Sequence, residues 1–209
     1  MTASVCSEVP RSASRRRLTR WPLLLAAVLI CGLVSPAAGD ETIALDRRNL
    51  SIGFEVEEFL LWRIEGRFNE AWGELALDPK EPSRSRLKVV VRTSSINTGS
   101  ARRDHSLRST DFFDVAQHPL MIFDSTRIEL VDESAGVVSG NLNMLGMTRP
   151  IRLKFEVSAQ GKARSPQNPI PVMSFRASGV VRRSDWGMTA LIPAISDEVH
   201  LEIRADVAN

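Results

Sequence analysis

The sequence predicts an all-β domain of eight antiparallel strands. Three observations carry that expectation. Short runs alternate apolar with polar residues, turn residues separate the runs, and neither a long helical periodicity nor a 30-residue repeat is present. Eight such strands close into an up-and-down barrel or pack as a sandwich.

The strands read in order. Leu50, Ile52, Phe54 and Val56 alternate with Ser51, Gly53, Glu55 and Glu57, as in a half-buried strand. A second run extends from Ile64 through Phe68 and Trp72 to Leu77 and stops at Asp78-Pro79. Gly66 and Gly73 within it predict a sharply bent or bulged strand. Leu87 to Val91 is the third. Leu120 to Leu130, Val137 to Met144, Ile151 to Val157, Met173 to Val181 and Val199 to Ala205 complete the eight. Turns fall at Pro82-Ser83, Asp132-Glu133-Ser134, Leu145-Gly146, Gly161 to Pro171 and Ile192-Pro193. The one segment that reads as a helix is short, within Ala101 to Thr110.

Strand alternation places Phe54, Val56, Phe68, Trp72, Val89, Val91, Leu142, Met144, Phe155, Met173 and Phe175 on the inner face. Two readings stay open for them. They pack against one another, or a subset lines a cavity, since an eight-stranded barrel has room for one small ligand.

The longest excursion between strands runs from Asn97 to Thr126 and concentrates charge and aromatic residues. Long ordered excursions in β proteins carry function more often than short ones. Phe112-Phe113 reads as a plug at one barrel end, as a ligand contact, or as both. Arg103, Asp104 and His105 read either as a structural pairing that fixes the loop or as a head-group site at the barrel mouth.

Signals for catalysis are absent. No nucleophile elbow, zinc-protease helix, phosphate-binding glycine loop or dinucleotide fingerprint occurs. His105, His118 and His200 lack metal-ligand spacing. The expectation is no enzyme activity, cofactor, metal or nucleic-acid partner, with a ligand-binding barrel and a non-binding structural or stress-response barrel both open. A homodimer stays open.

Residues 1–39 read as an export signal. Arg11, Arg15, Arg16, Arg17 and Arg20 form a basic region, Leu23 to Val34 an apolar core too short to span a bilayer, and Ala37-Ala38-Gly39 a cleavage site. Ser14 to Leu18 resembles a twin-arginine signal, but the strongly apolar core favours the Sec route. Removal leaves 22 basic and 24 acidic residues, so the precursor's basic excess gives no nucleic-acid signal. Both cysteines, Cys6 and Cys31, leave with the signal. The expected domain is 40–209, periplasmic or secreted.

The motifs resemble those of the YceI family. Phe54-Glu55-Val56 and Ile64-Glu65-Gly66-Arg67-Phe68 match its opening strands. Asn97, Thr98, Gly99, Arg103, Asp104, His105, Leu107, Phe112, Phe113, Pro119, Phe123, Ser125 and Thr126 match its central block. Gly140, Leu142, Gly146, Thr148 and Pro150 follow, and Arg183, Ser184, Asp185, Gly187 and Met188 match its final motif. The resemblance implies a lipocalin-like barrel with a long apolar channel. It further implies a polyisoprenoid ligand, a polyprenyl phosphate or quinone tail, bound in the periplasm. The sequence departs from the family pattern at Glu58 and at Ser106, where histidines are usual. Phe59-Leu60-Leu61-Trp62 is also more apolar than the family norm.

N-terminal sequencing of the exported protein should begin near Asp40. An intact segment 1–39 in a membrane fraction would contradict the signal reading.

Overall fold

The alternating runs curl into one antiparallel sheet in the computed structural model, which describes residues 41–78, 80–162 and 170–208. The expected signal and cleavage site, and part of the Gly161 to Pro171 turn, lie outside the described residues. The strands are β1 (Glu41–Leu45), β2 (Leu50–Glu58), β3 (Trp62–Phe68), β4 (Ala71–Leu77), β5 (Arg86–Arg92) and β6 (Ile96–Asn97). After helix α1 (Ala101–Leu107) come β7 (Leu120–Leu130), β8 (Ala135–Met144), β9 (Met147–Lys162), β10 (Ile170–Arg182) and β11 (Ile195–Ala208). Their order is β1-β4-β5-β7-β8-β9-β10-β11-β2-β3-β6.

Eleven strands therefore replace the expected eight among the described residues, and the two sheet edges, β1 and β6, do not pair with each other. The run from Ile64 to Leu77 is two strands. A corner at Asn69-Glu70 separates β3 from β4, and the two do not pair with each other. β1 and the two-residue β6 are the other additions.

That corner changes side-chain parity. Ile64 and Phe68 point inward on β3, whereas Ala71 and Leu75 do so on β4. A one-residue shift sends every side chain to the other face. Trp72 is thus on the outer face, 39% exposed, with the Arg92 guanidinium 6.0 Å from its ring centre. Its expected inner-face position is incorrect.

Gly66 marks a close approach rather than a bend. A Cβ there would lie 2.2 Å from Cζ of Phe54, its cross-strand partner. The ring of Phe54 lies across the bare glycine and reaches Phe68, 5.7 Å away between ring centres.

Register defines two rims. One, here the upper rim, carries Glu58 opposite Ile195, Arg182 opposite Glu198, Met144 opposite Met147, and Arg92 opposite Leu120. The lower rim carries Leu50 opposite Ala205 and Leu130 opposite Gly136. Residues 98–119 return to the upper rim at Leu120. Their helix α1 starts at Ser100, whose hydroxyl accepts from the Arg103 N–H. Trp186, 1% exposed, anchors the same end by donating its indole N–H to the Leu142 carbonyl at 3.2 Å.

The two tryptophans should separate in a denaturant titration. Trp186→Ala is expected to cost about 3–5 kcal/mol as a buried large-to-small change. Trp72→Ala should cost about 1 kcal/mol or less, from lost surface packing and its cation contact. Equal losses would contradict the face assigned to Trp72.

Candidate functional site

The interior is hollow toward the upper rim. A cavity of about 650 Å³ lies there, walled by apolar side chains from the strands and the 98–119 segment. Phe54, Val56, Phe68, Val89, Val91, Phe112, Phe113, Leu142 and Met144 all line it. On β2 the lining runs from Ile52 to Glu58, six residue steps or about 20 Å of strand.

Phe155, Met173 and Phe175 do not line the cavity. Phe155 and Phe175 share the parity of Leu153 and Ala177, which do, but lie nearer the lower rim. Both are partly buried and pack against the hydrophobic core. Met173 lies lower still, opposite Val207. The cavity lining thus ends at Ile52 and Ile203, above these residues.

Phe112 and Phe113 form part of the wall at the upper end. Phe112 is buried, and Phe113 meets Phe68 edge-on at 5.7 Å and 89°. Both rings line the cavity.

Polar lining is confined to the upper end: Glu58, Thr98, Ser100, Arg102, Arg103, Ser106 and Arg183. Arg103 donates from Nε to the Thr98 hydroxyl at 2.8 Å and from Nη2 to the Thr98 carbonyl at 3.0 Å. Asp104, buried and outside the lining, accepts from the Thr98 N–H at 2.8 Å and its hydroxyl at 2.6 Å. The two thus fix the loop through Thr98 and not through an ion pair with each other. His105 is exposed on α1 and does not line the cavity, so the structure separates it from the other two.

Arg183 is the residue that pattern reading left out of the site. It is 4% exposed and lines the cavity. Its guanidinium donates to four carbonyls: Ser196 at 2.9 Å, Met188 at 2.9 Å, Ala190 at 2.8 Å and Ile195 at 3.0 Å. Burial lowers its pKa and nearby Asp197 opposes the shift. An arginine stays charged under physiological conditions. The cavity therefore holds a fixed cation at its polar end. Inward parity continued from Val181 was the available signal. Among the described residues no group of His, Cys, Asp or Glu has an arrangement that could hold a metal ion.

The arrangement suits a guest with an apolar body and a polar or anionic end. Its volume falls within the ~300–1,000 Å³ typical of small-ligand sites.

Comparison with known proteins gives one consistent result. The YceI-like domain matches residues 44–207. A UPF0312 protein of Pseudomonas paraeruginosa is 32% identical over 169 residues, covering 81% of this chain and 86% of its own. A UPF0312 protein of Pectobacterium carotovorum is 28% identical, covering 88% and 93%. Among solved structures, BcnA of Burkholderia cenocepacia superposes with a TM-score of 0.69 at 17% identity, covering 78% of this chain and 99% of its own. A polyisoprenoid-binding domain from Saccharophagus degradans gives 0.59 at 13%, covering 81% and 100%. Both structural matches establish likeness of fold.

The loop that carries Arg183 has a pH signature. Burial raises the Asp197 pKa. Bonds from the Ser184 hydroxyl at 2.7 Å and N–H at 2.9 Å, with Arg183 and Arg182 nearby, outweigh it, so the net shift is downward. A carboxylate held below its unfolded value of about 3.9 stabilises the fold above that value. The contribution is lost as pH falls through the lower folded value. Asp197→Asn should flatten the fall in stability as pH drops below about 4, where unfolded carboxylates begin to take up protons. An unchanged acid limb in thermal melts would contradict this role.

Proposed function

The chain belongs to the family of YceI-like domains, and on that basis we propose that it is an exported carrier holding one polyisoprenoid-type lipid. The ligand is a polyprenyl phosphate or the isoprenoid tail of a quinone. The observation that carries the reading is the 650 Å³ apolar cavity with charge only at its upper end. The polyisoprenoid-binding domain of Saccharophagus degradans, which shares the fold, supports the class of ligand.

The mechanism is sequestration without a chemical step. Each buried methylene contributes about 0.8 kcal/mol, offset by the cost of ordering the chain. The apolar tail occupies the space between Phe54, Val89, Leu142 and Phe68. Its head stays at the rim, where Arg102, Arg103 and Arg183 outnumber Glu58. The cavity stops at the level of Ile52 and Ile203, so it takes a short chain or the head-proximal part of a longer one. Export follows from the expected signal in residues 1–39 and places the carrier outside the cytoplasm.

Val89 tests the reading. It is buried and lines the cavity. Val89→Glu puts a carboxylate where no partner is available, which is costly and fills the space a chain would occupy. Titration with a fluorescent prenyl chain should show binding abolished while circular dichroism stays that of a folded β protein. A folded variant that binds as tightly as the parent would overturn the placement of the lipid.

A further inference from the structure

The upper rim carries an apolar tip that the cavity does not use. Phe59, Leu60, Leu61 and Trp62 are between 62% and 82% exposed, and none of the four lines the cavity. Phe59, Leu60 and Leu61 form the turn between β2 and β3 and Trp62 opens β3; the turn is closed by the Leu61 N–H on the Glu58 carbonyl at 3.2 Å. The Phe59 N–H donates to the Ala194 carbonyl at 2.7 Å, tying the tip to the loop that carries Leu191 and Ile192. Both of those residues are exposed as well.

Two further features set this tip apart. Its central residues are left-handed, Phe59 at φ 51° and Leu60 at φ 59°, as is Leu191 at φ 60°. Bulky residues resist that conformation, and a turn left-handed at both centres favours Asn and Gly. The β8–β9 turn follows the rule at one centre only, with Gly146 at φ 73° after Leu145 at φ 52°. At the β2–β3 tip large apolar side chains occupy both places, and backbone strain of this kind clusters where it serves a function. The tip is also continuous with the cavity. Leu191 is at once 61% exposed and part of the lining, and Glu58, the residue before the turn, lines it too.

We infer that the tip inserts into the interfacial region of a lipid bilayer and docks the cavity mouth against it. Exposure on consecutive residues means that both faces of the hairpin are uncovered. A lipid interface surrounds such a tip, whereas a protein partner would cover one side. Aromatic residues and leucines suit the boundary between headgroups and acyl chains. The charge at the mouth fits an anionic surface. Its charged lining residues are three arginines and one glutamate, and Arg102 is exposed with no ion pair among the described residues. This inference goes beyond the carrier reading and can stand or fall without it.

The test uses the exported protein and sedimentation with vesicles of phosphatidylcholine, with or without phosphatidylglycerol. The double substitution Phe59→Asn and Leu60→Gly gives the turn the residues it favours and removes most of the apolar tip. The parent should sediment with vesicles, more strongly when phosphatidylglycerol is present. The double variant should bind at least about tenfold more weakly, with its melting temperature equal or higher and prenyl-chain binding unchanged. Arg102→Gln should lose the phosphatidylglycerol preference and still sediment with phosphatidylcholine vesicles. A parent that ignores vesicles, or a folded double variant that binds them equally, overturns the inference. So does a double variant that merely turns a dimer into a monomer in sedimentation velocity. Vesicle docking by a parent that binds no prenyl chain would leave the inference intact and remove the carrier.

Discussion

Arg183 organises the upper rim. Its four donated hydrogen bonds gather the carbonyls of Met188, Ala190, Ile195 and Ser196 around one buried guanidinium. The residues so gathered include Met188 and Ile195 of the cavity wall and flank Leu191. The next carbonyl along, that of Ala194, receives the N–H of Phe59. Removing a buried charge's partners is costly, because desolvation persists while compensation is lost. The loop and the guanidinium therefore hold each other in place, and the mouth inherits its shape from them.

The same interior is packed at one end and open at the other. Near the lower rim Leu45, Leu75, Ile128, Phe155, Phe175 and Val207 fill the space between sheet faces. The corner at Asn69-Glu70 separates β3 from β4, which do not pair, and the 98–119 segment contributes residues to the cavity wall. That segment contributes Phe112 and Phe113 to the wall but also Arg102 and Arg103, so the cover is apolar within and polar at its opening. A stable lower core allows an upper cavity to remain open without loss of the fold.

Much of this was legible in the residues. Period-two alternation placed Phe54, Val56, Val89, Val91, Leu142 and Met144 on the inner face, and the cavity is lined by them. The short helix was expected within Ala101 to Thr110 and occupies Ala101–Leu107. Alternation assigns a face and not a height, which is why Phe155, Met173 and Phe175 were grouped with the cavity and lie below it. Trp72 was misplaced for a different reason: the corner before it resets the parity, and Asn69-Glu70 carries neither proline nor glycine to announce that. β1 spans only five residues, and β6 only two, too few to show a period. Arg183 was legible in principle, as a charge at inward parity two residues beyond Val181. Its role depends on carbonyls brought together by the loop, which no spacing rule expresses.

The central proposal is that the upper cavity holds an isoprenoid chain. Organic extraction of the purified protein, followed by mass spectrometry, tests it most directly. A prenyl lipid recovered in stoichiometric amount from the parent and missing from a folded Val89→Glu variant is the predicted result. Repeated recovery of no lipid from the parent, together with no binding of added polyprenyl phosphate or quinone, would contradict the claim.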